Sequence, residues 1–523
     1  MSLSYDLRSR GLLAIRTSDT GLLVLALVVG AGAGGGAVVF RWLISTFTKL
    51  LSGHKDFAGL GHASNPHVPW LGHWFVLLAP VVAGLLYGPL VQAFAREARG
   101  HGVPEVMYAV ARKGGRIAPQ VALVKALASA LCIGGGGSVG REGPIVQIGS
   151  ALGSSLGGLI RVGEARLRVL VGCGAAGGIA ATFNAPLAGV FFAMELILVD
   201  FTGLSFGMVV LASVTASVIG RAALGDEPFL HLPSFAVDHL GQYLLFALLG
   251  LLAGAVGVGF ARVLYLIEDG CDWAWAKTRL PEWSRPAVGG LVLGGVLLLL
   301  PQMYGVGYPV LGNGIAGRYA IGFLLVLMIG KVVATSLTIG IGGSGGVFAP
   351  SLFIGAMFGE AFGLTVQHIA PGVAGPAGAY GLIGMGAVFA GAARAPITAV
   401  VIMFELTGEY SIILPLMAAI VLATGLSNLL TGDTIYTLKL RRRGVDLTAK
   451  PSERITVGEV MEPLPISPID RELPVTVSIS DTLANALTVL HTADDAVAVL
   501  DPDQGAVVGR LTHRRVLQVL AQA

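Results

Sequence analysis

Three glycine-rich stretches and one tyrosine hold the residues of this chain that could do chemistry. The first stretch is Gly140-Arg141-Glu142-Gly143-Pro144. A glycine loop that runs into a helix offers free backbone N–H groups at the positive end of the helix dipole, which makes an anion site. Here a carboxylate stands on the loop. Ionised, Glu142 can fill the anion site itself; protonated, it can leave. That is a gate with a built-in proton dependence. The plainer reading is a structural pair of Glu142 with Arg141. An ionisable residue inside a membrane segment favours the gate.

The second stretch, Gly345-Gly346-Val347-Phe348-Ala349-Pro350, lacks an acid. Its Val347 and Phe348 N–H groups lie on the loop, and Pro350 suits a first helical turn. The third is Gly100-His101-Gly102-Val103-Pro104-Glu105, where Pro104 again sets a helix start. His101 could donate an N–H to an anion or titrate near neutral pH. Alone, each of these also reads as a helix contact or an interfacial loop. Tyr436, in Thr434-Ile435-Tyr436-Thr437-Leu438-Lys439, offers a hydroxyl, although a tyrosine before a basic flank is ordinarily an interface residue. No nucleophile–base pair and no metal-ligand spacing occurs, so the sequence predicts neither an enzyme nor a cofactor or metal site.

The elements that position these residues come in two copies. Leu131 to Gly153 repeats as Leu337 to Gly359 at constant spacing. Ile133/Ile339, Gly137/Gly343, Ser138/Ser344, Gly140/Gly346, Pro144/Pro350 and Gly149/Gly355 are among the identities. Lys125 and Lys331 share the spacing. Downstream, Ala185-Pro186 resembles Ala395-Pro396, and Glu195-Leu196 resembles Glu405-Leu406. Upstream, Gly100-His101-Gly102-Val103 is paired with Gly312-Asn313-Gly314-Ile315. A repeat this long means two copies of one structural half, over about 22–225 and 240–430. Paired glycine-interrupted segments in corresponding places of two halves mark a transport site.

Composition sets the solvent. The chain is 54% hydrophobic and 12% charged, with 76 glycines, against about 25% charged in soluble domains. It reads as a polytopic, all-α membrane protein in the lipid bilayer. Gly21–Phe40, Trp74–Val91, Tyr243–Leu264, Ala287–Leu300 and Ile321–Ile339 are helix candidates. Ala185–Val199 and Ile397–Leu406 are too short to cross ~30 Å of hydrocarbon. Helices that end inside the membrane must line a polar cavity. Arg8, Arg10 and Arg16 at one end, and Lys439, Arg441, Arg442 and Arg443 at the other, predict that both termini are cytoplasmic. A plasma (inner) membrane is the expected location. Cys132, Cys173 and Cys271 show no disulfide or metal spacing. A net charge of +3 gives no sign of nucleic acid.

From about Glu453 the composition turns soluble. VGEVM, SDTLANALTVL, AVAVLDPDQGAVVGRLT and HRRVLQVLAQA read as turn, amphipathic helix, hairpin and helix. Pro502-Asp503-Gln504-Gly505 supplies the hairpin turn. The expected division is 1–440 for the membrane part and 441–523 for a linker and a small α/β module.

GREGP, GGVFAP and GHGVPE, in this chain order of GHGVPE, GREGP and GGVFAP, resemble the three anion-site motifs of the CLC chloride channel/transporter family. The resemblance covers about Leu22 to Leu440. It implies about eighteen mostly intramembrane helices in two inverted halves, and a homodimer with one pore per subunit. It makes Glu142 the gate and proton acceptor. It assigns chloride to His101, Gly102, the Val347 and Phe348 N–H groups and the Tyr436 hydroxyl, with bromide or nitrate as further passengers. Gly100, Pro104, Gly140, Gly143, Pro144, Gly346 and Pro350 shape the loops. His101 stands where many members have serine. Glu195 matches a widespread family acid and is a candidate for the proton path. Leu196 stands where coupled members often carry an internal glutamate, so it leans the reading to passive, channel-like conduction, with proton-coupled exchange as the alternative. A cation or solute transporter, which would need further buried acids and which the N–H surfaces of the glycine loops argue against, and a membrane-anchored sensor, which would not need two matched glycine loops, are the weaker classes. The C-terminal module resembles a single CBS domain. There Arg515 replaces the aspartate that would hold a ribose, and Arg cannot accept a hydrogen bond, so adenine nucleotide is not an expected ligand.

Overall fold

The computed structural model describes residues 15–225, 239–408, 410–447, 455–468, 476–491, 493, 496–502 and 506–520. Arg8 and Arg10 of the basic flank, and Asp503-Gln504-Gly505 of the hairpin turn, lie outside the described residues. The chain divides into two units, residues 1–439 and 440–523.

The first unit is helical. Its first eight helices are α1 (Asp19–Ser52), α2 (Phe75–Phe94), α3 (Val103–Arg112), α4 (Gln120–Gly134), α5 (Glu142–Ile160), α6 (Glu164–Phe183), α7 (Pro186–Phe192) and α8 (Gly203–Leu224). The next eight are α9 (Leu240–Ala276), α10 (Arg285–Leu299), α11 (Tyr308–Ile315), α12 (Ile321–Gly340), α13 (Phe348–Ile369), α14 (Ala377–Ala393), α15 (Pro396–Thr407) and α16 (Ile413–Leu430). A short α17 (Thr437–Arg441) follows. Among the described residues, eight helices are long and apolar enough to cross a membrane. The 8 residues of α11 rise only about 12 Å, so this helix ends well short of a crossing.

The two sets of eight correspond one to one, and the copies run in opposite directions. Helices α2 and α10, equivalent in the repeat, lie against each other antiparallel. Gly84 of α2 meets Pro286 and Ala287 at the start of α10, while Gly294 near the end of α10 meets Leu77 near the start of α2. The repeat is therefore inverted, which hydropathy alone does not reveal.

The structure moves one repeat pairing. Gly312 to Ile315 lie within α11, whereas Gly100 and Gly102 precede α3, so the two segments are not equivalent. The counterpart of Gly100-His101-Gly102-Val103-Pro104 is Gly305-Val306-Gly307-Tyr308-Pro309. Each has glycine as the residue before the helix, Gly102 at φ 85° and Gly307 at φ 89°, in a region that L side chains rarely adopt. The shared Gly-x-Gly-x-Pro pattern carries the match; a looser resemblance in glycine spacing suggested the wrong one.

Small residues let the central helices touch through their backbones. A Cβ on Gly149 of α5 would lie 2.1 Å from the Gly174 carbonyl oxygen of α6. Its copy, Gly355 of α13, would meet the Gly384 carbonyl of α14 at 2.3 Å.

The second unit carries a four-stranded sheet in the order β1-β4-β3-β2: β1 (Glu462–Pro468), β2 (Thr476–Ser478), β3 (Ala496–Asp501) and β4 (Ala506–Thr512). The expected hairpin is β3–β4, antiparallel; β2 pairs with β3 in parallel. Helices α18 (Val457–Val460), α19 (Leu483–Leu490) and α20 (His513–Leu520) complete the unit. Val457, Val460, Leu483, Leu490, Val499 and Leu511 are among its core residues.

Gly149→Val and Gly355→Val are expected to lower the melting temperature of the purified protein by forcing α5 from α6 and α13 from α14, at a cost of about 1–3 kcal/mol each. Gly35→Ala, where an added Cβ meets nothing within 4 Å, serves as the neutral comparison in the same thermal assay. Equal melting temperatures for all three variants would contradict the packing described.

Candidate functional site

Three non-helical loops, those before α3, α5 and α13, are tied together by their backbones. Gly140 and Gly346, equivalent in the repeat, exchange two hydrogen bonds of 2.8 and 2.6 Å. The Gly100 N–H donates to Gly343, and the Gly345 N–H donates to Gly100, at 3.0 and 3.2 Å. Both copies close the same turn: Gly137 donates to the Cys132 carbonyl and Gly343 to the Thr338 carbonyl, each at 2.8 Å.

Carbonyls on such loops still need donors where water is scarce. Two fully buried lysines provide them. Lys125 Nζ donates to the carbonyls of Ala98 and Gly100 at 2.9 and 2.8 Å, fixing the loop before α3. Its repeat partner Lys331 donates to the carbonyls of Gly305 and Val306 and to Ser138 Oγ, at 3.1, 2.9 and 2.9 Å. One turn on, Ser129 and Thr335 repeat the device. Ser129 Oγ lies 2.8 Å from Ser344 Oγ, and Thr335 Oγ1 donates to the Ser138 carbonyl at 2.7 Å.

Glu142 opens α5 and is 1% exposed. Its Oε1 accepts from the Tyr308 hydroxyl at 2.9 Å and its Oε2 from the Ala349 N–H at 3.3 Å. The carboxylate thus sits at the N-terminus of α13, where backbone N–H groups and the helix dipole favour negative charge. Arg141 stands beside it with its guanidinium 5.1 Å from the Tyr308 ring centre and 5.7 Å from that of Phe183. It also donates to the Thr182 carbonyl at 3.3 Å.

The other motif residues converge on the same region. Val347 precedes α13 and Phe348 opens it, both buried. The Phe348 ring packs on those of Phe183, Phe192 and Phe389. Pro104, Pro144 and Pro350 each stand in the first turn of their helix. A Cβ on Gly143 would lie 1.9 Å from the His101 carbonyl oxygen, so only glycine fits between the loops. The buried His101 ring lies parallel to Tyr265 of α9, centres 6.1 Å apart. The Tyr265 hydroxyl donates to the Ile435 carbonyl, next to the buried Tyr436. His101, Tyr265 and the Tyr436 segment are therefore joined, a link the sequence does not announce.

Glu195 and Glu405 are also partners. Glu195 accepts from the N–H groups of Ile397 and Thr398 at 3.1 and 2.9 Å, and from Thr398 Oγ1 at 2.7 Å. Glu405 accepts from Leu187 and Ala188 at 2.9 and 2.7 Å. Each acid, near the end of its own short helix, caps the start of the other half's. Leu196 follows in a π-helical stretch, Ala193–Leu198, that continues α7 and packs against α3.

Tyr308 is the main residue of the site that the motifs miss. Its signal was present as the fourth residue of Gly305-Val306-Gly307-Tyr308-Pro309. Beyond Arg141 and Tyr308 a cavity of about 920 Å³ opens, lined also by Arg41, Lys55, Asp56 and Arg221. It sits toward the far end of α1 from Asp19.

Residues 83–428 match the family described as voltage gated chloride channel. A "chloride channel protein ClcB-like" of Ralstonia nicotianae is 32% identical over 434 residues, 82% of this chain and 99% of that protein. The H(+)/Cl(-) exchange transporter ClcA of Vibrio parahaemolyticus is 36% identical over 378 residues, 70% of this chain and 79% of its own. Among solved structures, a slow cyanobacterial Cl-/H+ antiporter superposes with a TM-score of 0.71 at 26% identity, covering 81% of this chain and 97% of the other. The matched motifs, the inverted halves and these relatives agree: the chain is a multi-pass membrane protein of the voltage-gated chloride channel (CLC) family.

Proposed function

We propose that this anion transporter exchanges chloride for protons, with Glu142 as both gate and proton carrier. The observation behind the proposal is the place of the Glu142 carboxylate. It takes a backbone N–H at a helix N-terminus and a tyrosine hydroxyl, the donors a chloride ion would use. A group that competes with the anion when ionised and withdraws when protonated links the two fluxes at one position. Val347, Phe348, His101, Gly102 and Tyr436 complete the anion path, with bromide and nitrate as further passengers. The N-terminal face is placed in the cytoplasm of a plasma (inner) membrane, and the working form is a homodimer.

Relatives named for H(+)/Cl(-) exchange support coupling over the passive conduction that Leu196 suggests. Leu196 remains the observation on the side of passive conduction, because an alkyl side chain cannot bind a proton. Glu195 is already engaged by the α15 N-terminus. A proton from the inner face must therefore bypass both. Glu105, on the helix packed against the π-helical stretch, is the carboxylate we assign to that side. The C-terminal unit is read as a CBS-like module that pairs with its copy and binds no adenine nucleotide. Arg515, at the sequence place of the ribose-holding aspartate in the CBS pattern, donates from Nε to the Val460 carbonyl at 3.2 Å.

Simultaneous recording of chloride and proton fluxes in proteoliposomes tests the proposal. The wild type should drive protons uphill on a chloride gradient. Glu142→Gln should abolish proton movement and the pH dependence of chloride flux while chloride still passes. A wild type whose reversal potential ignores an imposed proton gradient would establish passive conduction instead.

Tyr308→Phe should raise chloride turnover several-fold. It removes a hydrogen bond to an ionisable group, worth about 1.5–3 kcal/mol when that group is charged, and so loosens the gate. Unchanged turnover in a correctly folded variant would mean that the hydroxyl does not restrain Glu142.

A further inference from the structure

We infer that Glu360 of α13 is a second proton-binding residue, which as the neutral acid lets α11 rest on α13 and so keeps Tyr308 at the Glu142 gate. Glu360 is 1% exposed, and neither carboxyl oxygen has a hydrogen-bond partner among the described residues. No charge among those residues compensates it. The ionisable side chains on the elements packed around it are engaged elsewhere. Arg318, in the turn after α11, donates to Asn313 Oδ1 at 2.9 Å, and Tyr308 of α11 donates to Glu142. Lys331 of α12 holds the Gly305 loop, and the Tyr380 hydroxyl of α14 accepts the Gly375 N–H. Tyr265 and Glu268 of α9 are bound to Ile435 and Lys439, and His368 of α13 stands against the Leu364 carbonyl. A carboxylate buried with neither donor nor countercharge is strongly disfavoured, so the group that packs here is the acid.

Its place in the fold adds to this. A Cβ on Gly381 of α14 would lie 3.1 Å from Oε2, and one on Gly317 would lie 3.8 Å from Oε1. Gly317, at φ 71°, closes the end of α11, with its N–H on the Gly314 carbonyl at 2.9 Å. Glu360 therefore stands at the C-terminal end of α11, where the helix dipole repels a negative charge. The repeat shows what the acid changes. Ser154 of α5 is the equivalent residue, and its Oγ accepts the Ile117 N–H, beyond α3, at 2.8 Å. A neutral hydroxyl closes the first half where the second carries a group that can ionise.

The short helix carries the effect to the gate. Phe353, Met357 and Glu360 form one stripe of α13, and Gly307, Gly314 and Gly317 lie over them in that order. A Cβ on Gly307 would be 3.3 Å from Phe353, and one on Gly314 would be 2.3 Å from Met357. Ionising Glu360 lifts the C-terminal end of α11 from this stripe. The 8-residue helix moves as a unit and takes Tyr308, its first residue, off Glu142. Alkaline pH thus loosens α11 through Glu360 while it ionises Glu142 and closes the gate. The relay rests on the reading of Glu142 as the gate; the proton site does not.

Infrared spectra of the purified full-length protein at neutral pH test the proton site. In a Glu142→Gln background the carboxylic-acid carbonyl band should weaken when Glu360→Gln is added, and this difference should fade as pH is raised. Identical bands would mean that Glu360 is ionised and would overturn the site. Chloride flux in proteoliposomes tests the relay. The turnover of Glu360→Gln relative to the wild type should drop several-fold from acid to alkaline pH, because glutamine cannot ionise and α11 stays down. In a Tyr308→Phe background that drop should vanish. A drop that persists there, or a pH profile that Glu360→Gln leaves unaltered, would overturn the relay. A wild type that shows the Glu360 band but moves no chloride would remove the transport proposal and the relay with it, and leave the proton site standing.

Discussion

The architecture turns on the need to satisfy bare backbone inside a membrane. Three loops leave helical geometry deep in the helical unit, and every carbonyl they expose there would otherwise be unpaired at a cost of several kcal/mol. Lys125 and Lys331 meet this need, one per half. Each buries an ammonium group and spreads its hydrogen bonds over carbonyls of a turn before a short helix. Lysines and hydroxyls thus hold carbonyls of these loops in place. The helices beginning at these loops are placed closely. Their spacing is set by backbone contact between Gly140 and Gly346, not by side chains.

Much of this was legible in the chain. GREGP and GGVFAP mark where two helices begin, and their constant separation marks two halves. Lys125 and Lys331 were visible as a matched pair, although nothing in the sequence shows that they serve carbonyls. The inversion followed from the family resemblance and not from hydropathy, because half-helices such as α3 and α11 defeat any count of crossings. Tyr308 was missed because the glycines of Gly312-Asn313-Gly314 drew the third motif to the wrong copy. In a glycine-rich chain, glycine spacing carries little information unless a proline fixes the helix start, as Pro104 and Pro309 do.

Two acids show how burial in a repeat changes the meaning of a residue. Glu142 and Glu195 both lie in apolar segments and both read as functional ionisable groups. In the structure each accepts backbone N–H donors at the start of a helix from the other half. Glu142 shares its helix end with the hydroxyl of Tyr308, which itself lines the cavity. Glu195 takes three donors from the turn of α15 that it caps. The difference lies in the number and kind of donors, which the sequence does not state.

The exchange of caps between Glu195 and Glu405 also sets an order of events at the ribosome. When the first half has been made, α7 has no acid for its N-terminal N–H groups and Glu195 has no helix to cap. The remaining ~200 residues need about 10–40 s at ordinary translation rates. For that time a carboxylate and two unpaired N–H groups must be sheltered by water, lipid headgroups or the insertion machinery. The halves of this protein are therefore not independent modules laid side by side. Each is unfinished until the other arrives.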